Sequence, residues 1–225
     1  MAALTRRNFL VGTGLVGGGI LLGISFAPGR LATIRKQYKT KEASVLTTWV
    51  RITQDNRVSV IVPHSEMGQG VHTALPMMLA EEMEADWDLV RMEQAPANEL
   101  FANDAVSKGF LLNGQRLPAI LNPPADWASY KLAQLLDVQT TGGSSSIRFT
   151  GEFGMRTAGA AVKEMLIKAA AEKWGVAEED CVARLSHVTH EKSGAKASLG
   201  ALAEAAAAFE PNATPTLKDK KDFTI

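Results

Sequence analysis

The sequence predicts an α+β fold (mixed α/β), with small sheets packed by two long helices, on three observations. Short β-rich runs at Val45–Ile52, Arg57–Pro63 and Leu89–Gln94 are bounded by turn-forming clusters such as Gln54-Asp55-Asn56. Two longer stretches, Val71–Ala85 and Phe153–Trp174, repeat apolar side chains at helical spacing. Apolar residues make up 46% of the 225, enough for one core or two small ones.

Taken in order, residues 1–27 read as a twin-arginine export signal. Thr5-Arg6-Arg7-Asn8-Phe9-Leu10 leads into 22 uncharged residues between Arg7 and Arg30, and no acid occurs before Glu42. The six glycines from Gly12 to Gly23 make this segment a poor bilayer span, although about 20 apolar residues suffice to cross one. Ser25-Phe26-Ala27 offers small residues for cleavage after Ala27; a retained signal would leave the chain membrane-associated. The expected destination is the periplasm, by a route that carries folded proteins, typically with a cofactor already inserted.

Residues 28–44 read as a linker. Val45–Ile52 and Arg57–Pro63 then form a hairpin, in which Val58, Val60 and Val62 alternate with Ser59 and Ile61 to give one well-buried face. Helix Val71–Ala85 carries Leu75, Met78, Leu79 and Met83 on one side, and Pro76 favours a start nearer Thr73. Asp86-Trp87-Asp88 turns the chain into strand Leu89–Gln94. Residues 96–130 hold four prolines, two glycines and six asparagines or aspartates and sustain no period. They read as a long ordered surface excursion, with one short helix near Lys131–Leu136.

Helix Phe153–Trp174 carries Val162, Met165, Leu166 and Ala169 as its apolar stripe, closed by Gly175 as C-cap. Residues 45–175 thus form the main unit. Residues 176–210 read as a small satellite: strands Cys181–Leu185 and Val188–Glu191, a turn at Lys192-Ser193-Gly194, and an Ala-rich helix Leu199–Phe209 capped by Ser198. The tail, 211–225, reads as a linker.

Two turns are candidate binding sites. Ser65-Glu66-Met67-Gly68-Gln69-Gly70 joins a strand to a helix, so its glycines let the backbone approach a ligand and its amides lie free at a helix N-terminus. Gln69 adds a neutral amide that both donates and accepts. Thr140-Thr141-Gly142-Gly143-Ser144-Ser145-Ser146 surrounds a Gly-Gly turn with hydroxyls suited to phosphate oxygens; the rival reading is a flexible polar linker. Arg148 and Arg156 read as solvated side chains rather than anion ligands.

Other classes are excluded. Removing residues 1–27 takes two arginines and no acid, leaving 22 basic against 24 acidic side chains, no footprint for nucleic acid or anionic lipid. Cys181 is the sole cysteine, so an internal disulfide, a cysteine-ligated zinc or an iron–sulfur cluster cannot form within the chain, and its neighbours Val182 and Leu185 place it in a buried strand. His187 and His190 lie on a strand and point to opposite faces; the four histidines give no metal-ligand spacing. Neither Gly-rich turn has the lysine of a nucleotide P-loop.

Several motifs carry a resemblance when taken together: Arg6-Arg7, His64-Ser65-Glu66-Met67-Gly68-Gln69-Gly70-Val71-His72-Thr73, Leu75-Pro76-Met77-Met78-Leu79-Ala80-Glu81-Glu82, Asp86-Trp87, Gly142-Gly143-Ser144-Ser145-Ser146 and Arg156-x-Ala158-Gly159-Ala160. Their order resembles the N-terminal portion of molybdopterin-binding subunits of the xanthine oxidase superfamily, of the isoquinoline 1-oxidoreductase β-subunit and periplasmic aldehyde dehydrogenase type. The resemblance implies molybdopterin as cofactor, in the molybdenum cytosine dinucleotide form. It places Gln69 against the molybdenum centre and Gly143, Ser144, Ser145 and Ser146 at the phosphate end of the pterin, with Gly68, Gly70, Thr141 and Gly142 of the same two turns as further cofactor-binding residues. It further implies an iron–sulfur subunit and a cytochrome c electron acceptor, and hydroxylation of an aldehyde or N-heterocyclic carbon with oxygen from water.

The chain departs from that pattern in length. Family subunits are roughly three times longer, and no residue here matches their general-base glutamate; Glu66, beside the first turn, reads as a structural or surface group. The expectation is therefore part of a molybdenum oxidoreductase, inactive alone and completed by a second polypeptide. The alternative is an exported, non-catalytic remnant or binding module that kept the fold without the cofactor.

Overall fold

The computed structural model describes residues 28–38, 40–136 and 143–225, so the export signal lies outside the described residues, as do Thr141 and Gly142. The described residues form six helices and two small sheets of mixed α/β character. In the first sheet β1 (Ala43–Thr47), β2 (Val50–Thr53) and β3 (Val58–Val62) run antiparallel, and β4 (Val90–Gln94) pairs parallel to β3. The expected single strand Val45–Ile52 is itself a hairpin. Thr47 Oγ1 accepts from Trp49 N at 3.2 Å, and the register slips between Val45 and Thr47, so the chain reverses without glycine or proline.

Helix α1 (Pro28–Tyr38) corrects two expectations at once. The segment read as a linker carries buried Leu31 and Ile34, and Arg35 donates to the carbonyls of Val45, Leu46 and Phe209. Arg30 grips Leu100 O, Ala102 O and Asp104. Ile34 and Tyr38 share the lining of a small cavity, about 100 Å³, with Ile61 and Phe101. The sheet is therefore covered on this side too, and every residue of β3, Ser59 and Ile61 included, is buried rather than alternate ones.

Helix α2 (Val71–Met83) crosses from β3 to β4. It begins at Val71, not near Thr73, because Thr73 N and Ala74 N already bond to Gly70 O; Pro76 forgoes one intrahelical bond and the helix continues through it. Leu75, Leu79 and Met83 are fully buried as expected, each worth about 1.5–3 kcal/mol of transfer free energy.

The excursion holds two helices, α3 (Asp104–Leu111) and α4 (Asn122–Leu135). The residues that broke periodicity start them: Asn103 Oδ1 accepts from Val106 N at 3.2 Å, and prolines occupy the first turn of α4. Lys108, buried on α3, clasps α4 through Asn122 Oδ1 (2.9 Å) and Asp126 Oδ1 (2.6 Å). Burial pushes the Asp126 carboxyl from 3.8 up to about 6 against the pull of Lys108. A carboxyl that holds its proton more tightly when folded adds stability below its unfolded pKa and loses it as pH rises through its folded one. The stability of the wild type relative to Asp126→Asn should therefore fall from about pH 4 to about pH 6 and stay level above. Urea melts across this range test it; a difference that does not vary with pH refutes the assignment.

Helix α5 (Arg156–Trp174) packs on α2 and ends at Gly175 with φ 66. Its four stripe residues are buried. It is already helical before Phe153: Ser144–Ser146 form one turn and Ile147–Met155 a π-helix. The second sheet orders β5 (Cys181–Arg184), β6 (His187–His190) and β7 (Ala195–Ser198), the last not expected from sequence. Helix α6 (Leu199–Ala206) follows, capped by Ser198 Oγ on Ala201 N at 3.2 Å. Leu199, Leu202 and Val188 join the same buried core as β1–β3 and α2. The tail is irregular but not loose: Glu164 holds Asn212 and Thr216, Glu82 accepts from Lys218 N, and Glu81 accepts from Thr224 N and Ile225 N.

Candidate functional site

The turn Ser65–Gly70 leaves the C-terminal end of β3 and enters α2, at the carboxyl edge of the one parallel strand pair in the described residues. Ligands of α/β units sit at such edges. Gly68 (φ +94) and Gly70 (φ +80) take left-handed conformations that only glycine adopts without strain. An added Cβ at either would meet nothing within 4 Å, and Met67 is 68% exposed, so the outer face of the turn is open.

The amides expected to be free are not. Glu66 Oε1 accepts from Gly68 N (2.8 Å) and Gly70 N (2.9 Å), and Oε2 from His72 N (3.1 Å). The Gly70 and His72 bonds hold the Glu66 carboxyl below the usual carboxylate range. An acid two residues ahead of Gly68 reaches back across the turn to the positive end of α2, which makes Glu66 a structural group and the chain's own anion at this helix start. The Gln69 side chain also braces the turn, accepting from Met67 N (2.6 Å) and donating to Ser65 O (2.8 Å).

Of the second turn, Gly143 and Ser144 are exposed and Ser145 half-buried, and Gly143 likewise has open space where a Cβ would lie. Ser146 begins the passage into the π-helix, whose Gly151 lets the backbone press against Met78. A buried triad invisible in the sequence joins the residue before the first turn to the π-helix after the second. His64 Nε2 lies 2.7 Å from Thr150 Oγ1, and Asn103 Nδ2 lies 3.0 Å from both and donates to the hydroxyl. Residues 39 and 86 apart in the chain leave no local signal of such a contact.

The arginines divide. Arg148 is exposed, as expected, with its guanidinium 5.2 Å from the Phe149 ring. Arg156 is buried and paired with Glu82 and Glu152, not solvated. His187 is half-buried and His190 buried on opposite faces of β6, bonded to Leu185 O and Ser193 Oγ. No group of three His, Cys, Asp or Glu among the described residues is placed to hold a metal. Cys181 is buried and its thiol is pushed up by burial and by Asp180 and Glu178, which suits a core residue.

Residues 11–110 match the model of the molybdopterin cofactor-binding domain, a range that takes in β1–β4 and the Gly68–Gly70 turn. Isoquinoline 1-oxidoreductase subunit beta of Brevundimonas diminuta is 30% identical over 200 residues, covering 88% of this chain. The chain is thus related to the molybdopterin-binding proteins of the xanthine oxidase family. A second relative is the membrane-bound aldehyde dehydrogenase [pyrroloquinoline-quinone] of Gluconacetobacter polyoxogenes, 34% identical over 93 residues and 40% of this chain. The chain spans 22% and 12% of the lengths of these two proteins.

As part of a molybdopterin-binding domain, the open glycines fit the group as one wall. Gly68, Gly70 and Gly143 leave the main chain accessible, and Gln69 and Ser144 supply neutral donors and acceptors beside it. No thiolate or carboxylate cluster competes for the metal among the described residues. The Gly68 and Gly70 amides of the first turn, bonded to Glu66, are not available to a phosphate.

Proposed function

We propose that this chain is the first wall of a molybdopterin site in a molybdenum hydroxylase or aldehyde oxidoreductase, completed by another polypeptide that carries the catalytic glutamate. The observation that carries the reading is the open Met67-Gly68-Gln69-Gly70 turn at the carboxyl edge of the β3–α2–β4 unit, inside the segment matched to the cofactor-binding domain. In this reading Gln69 turns its carboxamide outward to the cofactor, and Gly143, Ser144, Ser145 and Ser146, with Thr141 and Gly142, hold its phosphate end. Glu66 keeps the turn folded while the cofactor is absent. When bound, molybdenum cytosine dinucleotide would supply oxygen-transfer and two-electron redox chemistry, with an iron–sulfur subunit and a cytochrome c as the electron-accepting partners of this reading. Arg6-Arg7-Asn8-Phe9-Leu10 supports export of the folded chain to the periplasm.

Molybdenum and pterin content is measured on the chain purified alone and co-expressed with the polypeptide of the neighbouring reading frame. Metal in the co-purified complex is the expected result, and Gln69→Ala should then lower cofactor retention or activity about 10–100-fold while the complex still forms. Absence of metal and pterin from both preparations overturns the reading in favour of an exported, non-catalytic binding module. Recovery of pyrroloquinoline quinone in their place would give this chain the cofactor named for its second relative.

A further inference from the structure

We propose that His64, Asn103 and Thr150 are positioning residues that lock the Gly68–Gly70 turn and the Gly143–Ser146 turn into one body, and so set the spacing of the walls offered to a cofactor. The cofactor clause rests on the function proposed above; the mechanical coupling does not.

The Asn103 end of the network has one orientation. Asn103 Oδ1 is committed to Val106 N at the start of α3, which fixes the amide so that Nδ2 faces His64 and Thr150. The Asn103 amide and the Thr150 hydroxyl both lie within bonding distance of His64 Nε2; Asn103 Nδ2 donates to Thr150, and the His64–Thr150 bond runs in the direction the imidazole tautomer sets. All three side chains are buried, so any broken link leaves a polar atom without water to replace it.

Its placement turns this closure into a coupling. His64 directly precedes the first turn, and its carbonyl accepts from His72 Nε2 at 2.8 Å, in the first turn of α2. One residue thus grips both ends of the Ser65–Gly70 segment, by its ring from outside and by its carbonyl from the helix. Thr150 lies four residues, about one helical turn, beyond Ser146. Asn103 anchors the pair to α3. An apolar trio of the same volume would fill the space but would not hold the π-helix in register.

Hydrogen exchange read by mass spectrometry on the full chain tests this, with Thr150→Val, which keeps the shape and removes the hydroxyl, and Thr150→Ser, which restores it. Thr150→Val should speed exchange about tenfold in residues 64–72, leave β5–β7 unchanged, and be reversed by serine. Equal acceleration throughout the chain, or none at the turn, overturns the proposal. If Thr150→Val does not fold, Asn103→Ser carries the same expectation, since serine still caps α3 but is one atom too short to reach His64. In the co-purified complex Thr150→Val should also lose molybdenum relative to Thr150→Ser. A wild-type complex without molybdenum refutes the proposed function and leaves the exchange result to decide the coupling.

Discussion

Arg156→Leu is expected to cost about 3–5 kcal/mol, because it strands a carboxylate in the core. Glu82 is fully buried, and Arg156 reaches its Oε1 through Nε at 2.7 Å and through a second guanidinium nitrogen at 2.6 Å. The same guanidinium bonds Glu152 and the carbonyl of Lys218, and lies 5.2 Å from the Phe223 ring. Although burial opposes it, these carboxylates raise the arginine's pKa, so the cation persists at every accessible pH. Removing it leaves Glu82 with the Lys218 amide and no counter-charge. Since a domain of this size is stable by about 5–15 kcal/mol, the variant should unfold at much lower urea. Glu82→Gln added to Arg156→Leu should recover a substantial part of the loss, because a neutral amide tolerates the same cavity at far smaller cost. A single variant with the wild-type midpoint would show that water reaches Glu82.

The same residue shows what a sequence can and cannot say here. Local chemistry was legible: the strand–turn–helix at Ser65–Gly70, the stripes of α2 and α5, the Gly175 cap and the Ser198 cap are set by residues within a few positions of one another. Glu66 was within reach of the same reasoning, since an acid beside a helix start favours the amides there. Signals with two meanings misled. Asn103 and the prolines at 123 and 124 indicate loops by composition and helix starts by position, and position prevailed. Arg30 and Arg35 fall in the segment that reads as a linker, yet their partners lie up to 174 residues away. Arg156 with Glu82, and His64 with Asn103 and Thr150, are products of tertiary packing alone. That is why the strand–turn–helix frame of the candidate turn was readable and its supports were not.

Gly159 leads to the second large expected effect. A Cβ built there would lie 2.3 Å from Leu79 O and 3.0 Å from Glu82 Cβ, so α2 and α5 touch backbone to backbone at this point. Side chains can turn aside; a helix carbonyl cannot without moving its helix. Gly159→Ala must therefore push the two helices apart, against the Glu82–Arg156 pair three residues away along α5 and the buried Leu79 and Val162 on either side. Higher helix propensity should return about 1 kcal/mol, and overpacking should cost about 1–3 kcal/mol or more, so the net is destabilising. Gly175→Ala provides the contrast: it has open space but φ 66, so its cost is conformational and leaves the crossing intact. Urea melts rank the two. Because α2 carries the Gly68–Gly70 turn at its start, separation of the helices at Gly159 should also speed hydrogen exchange in residues 64–72, which Gly175→Ala should leave unchanged. Equal stability of Gly159→Ala and wild type would mean that the helices already stand further apart than this crossing allows.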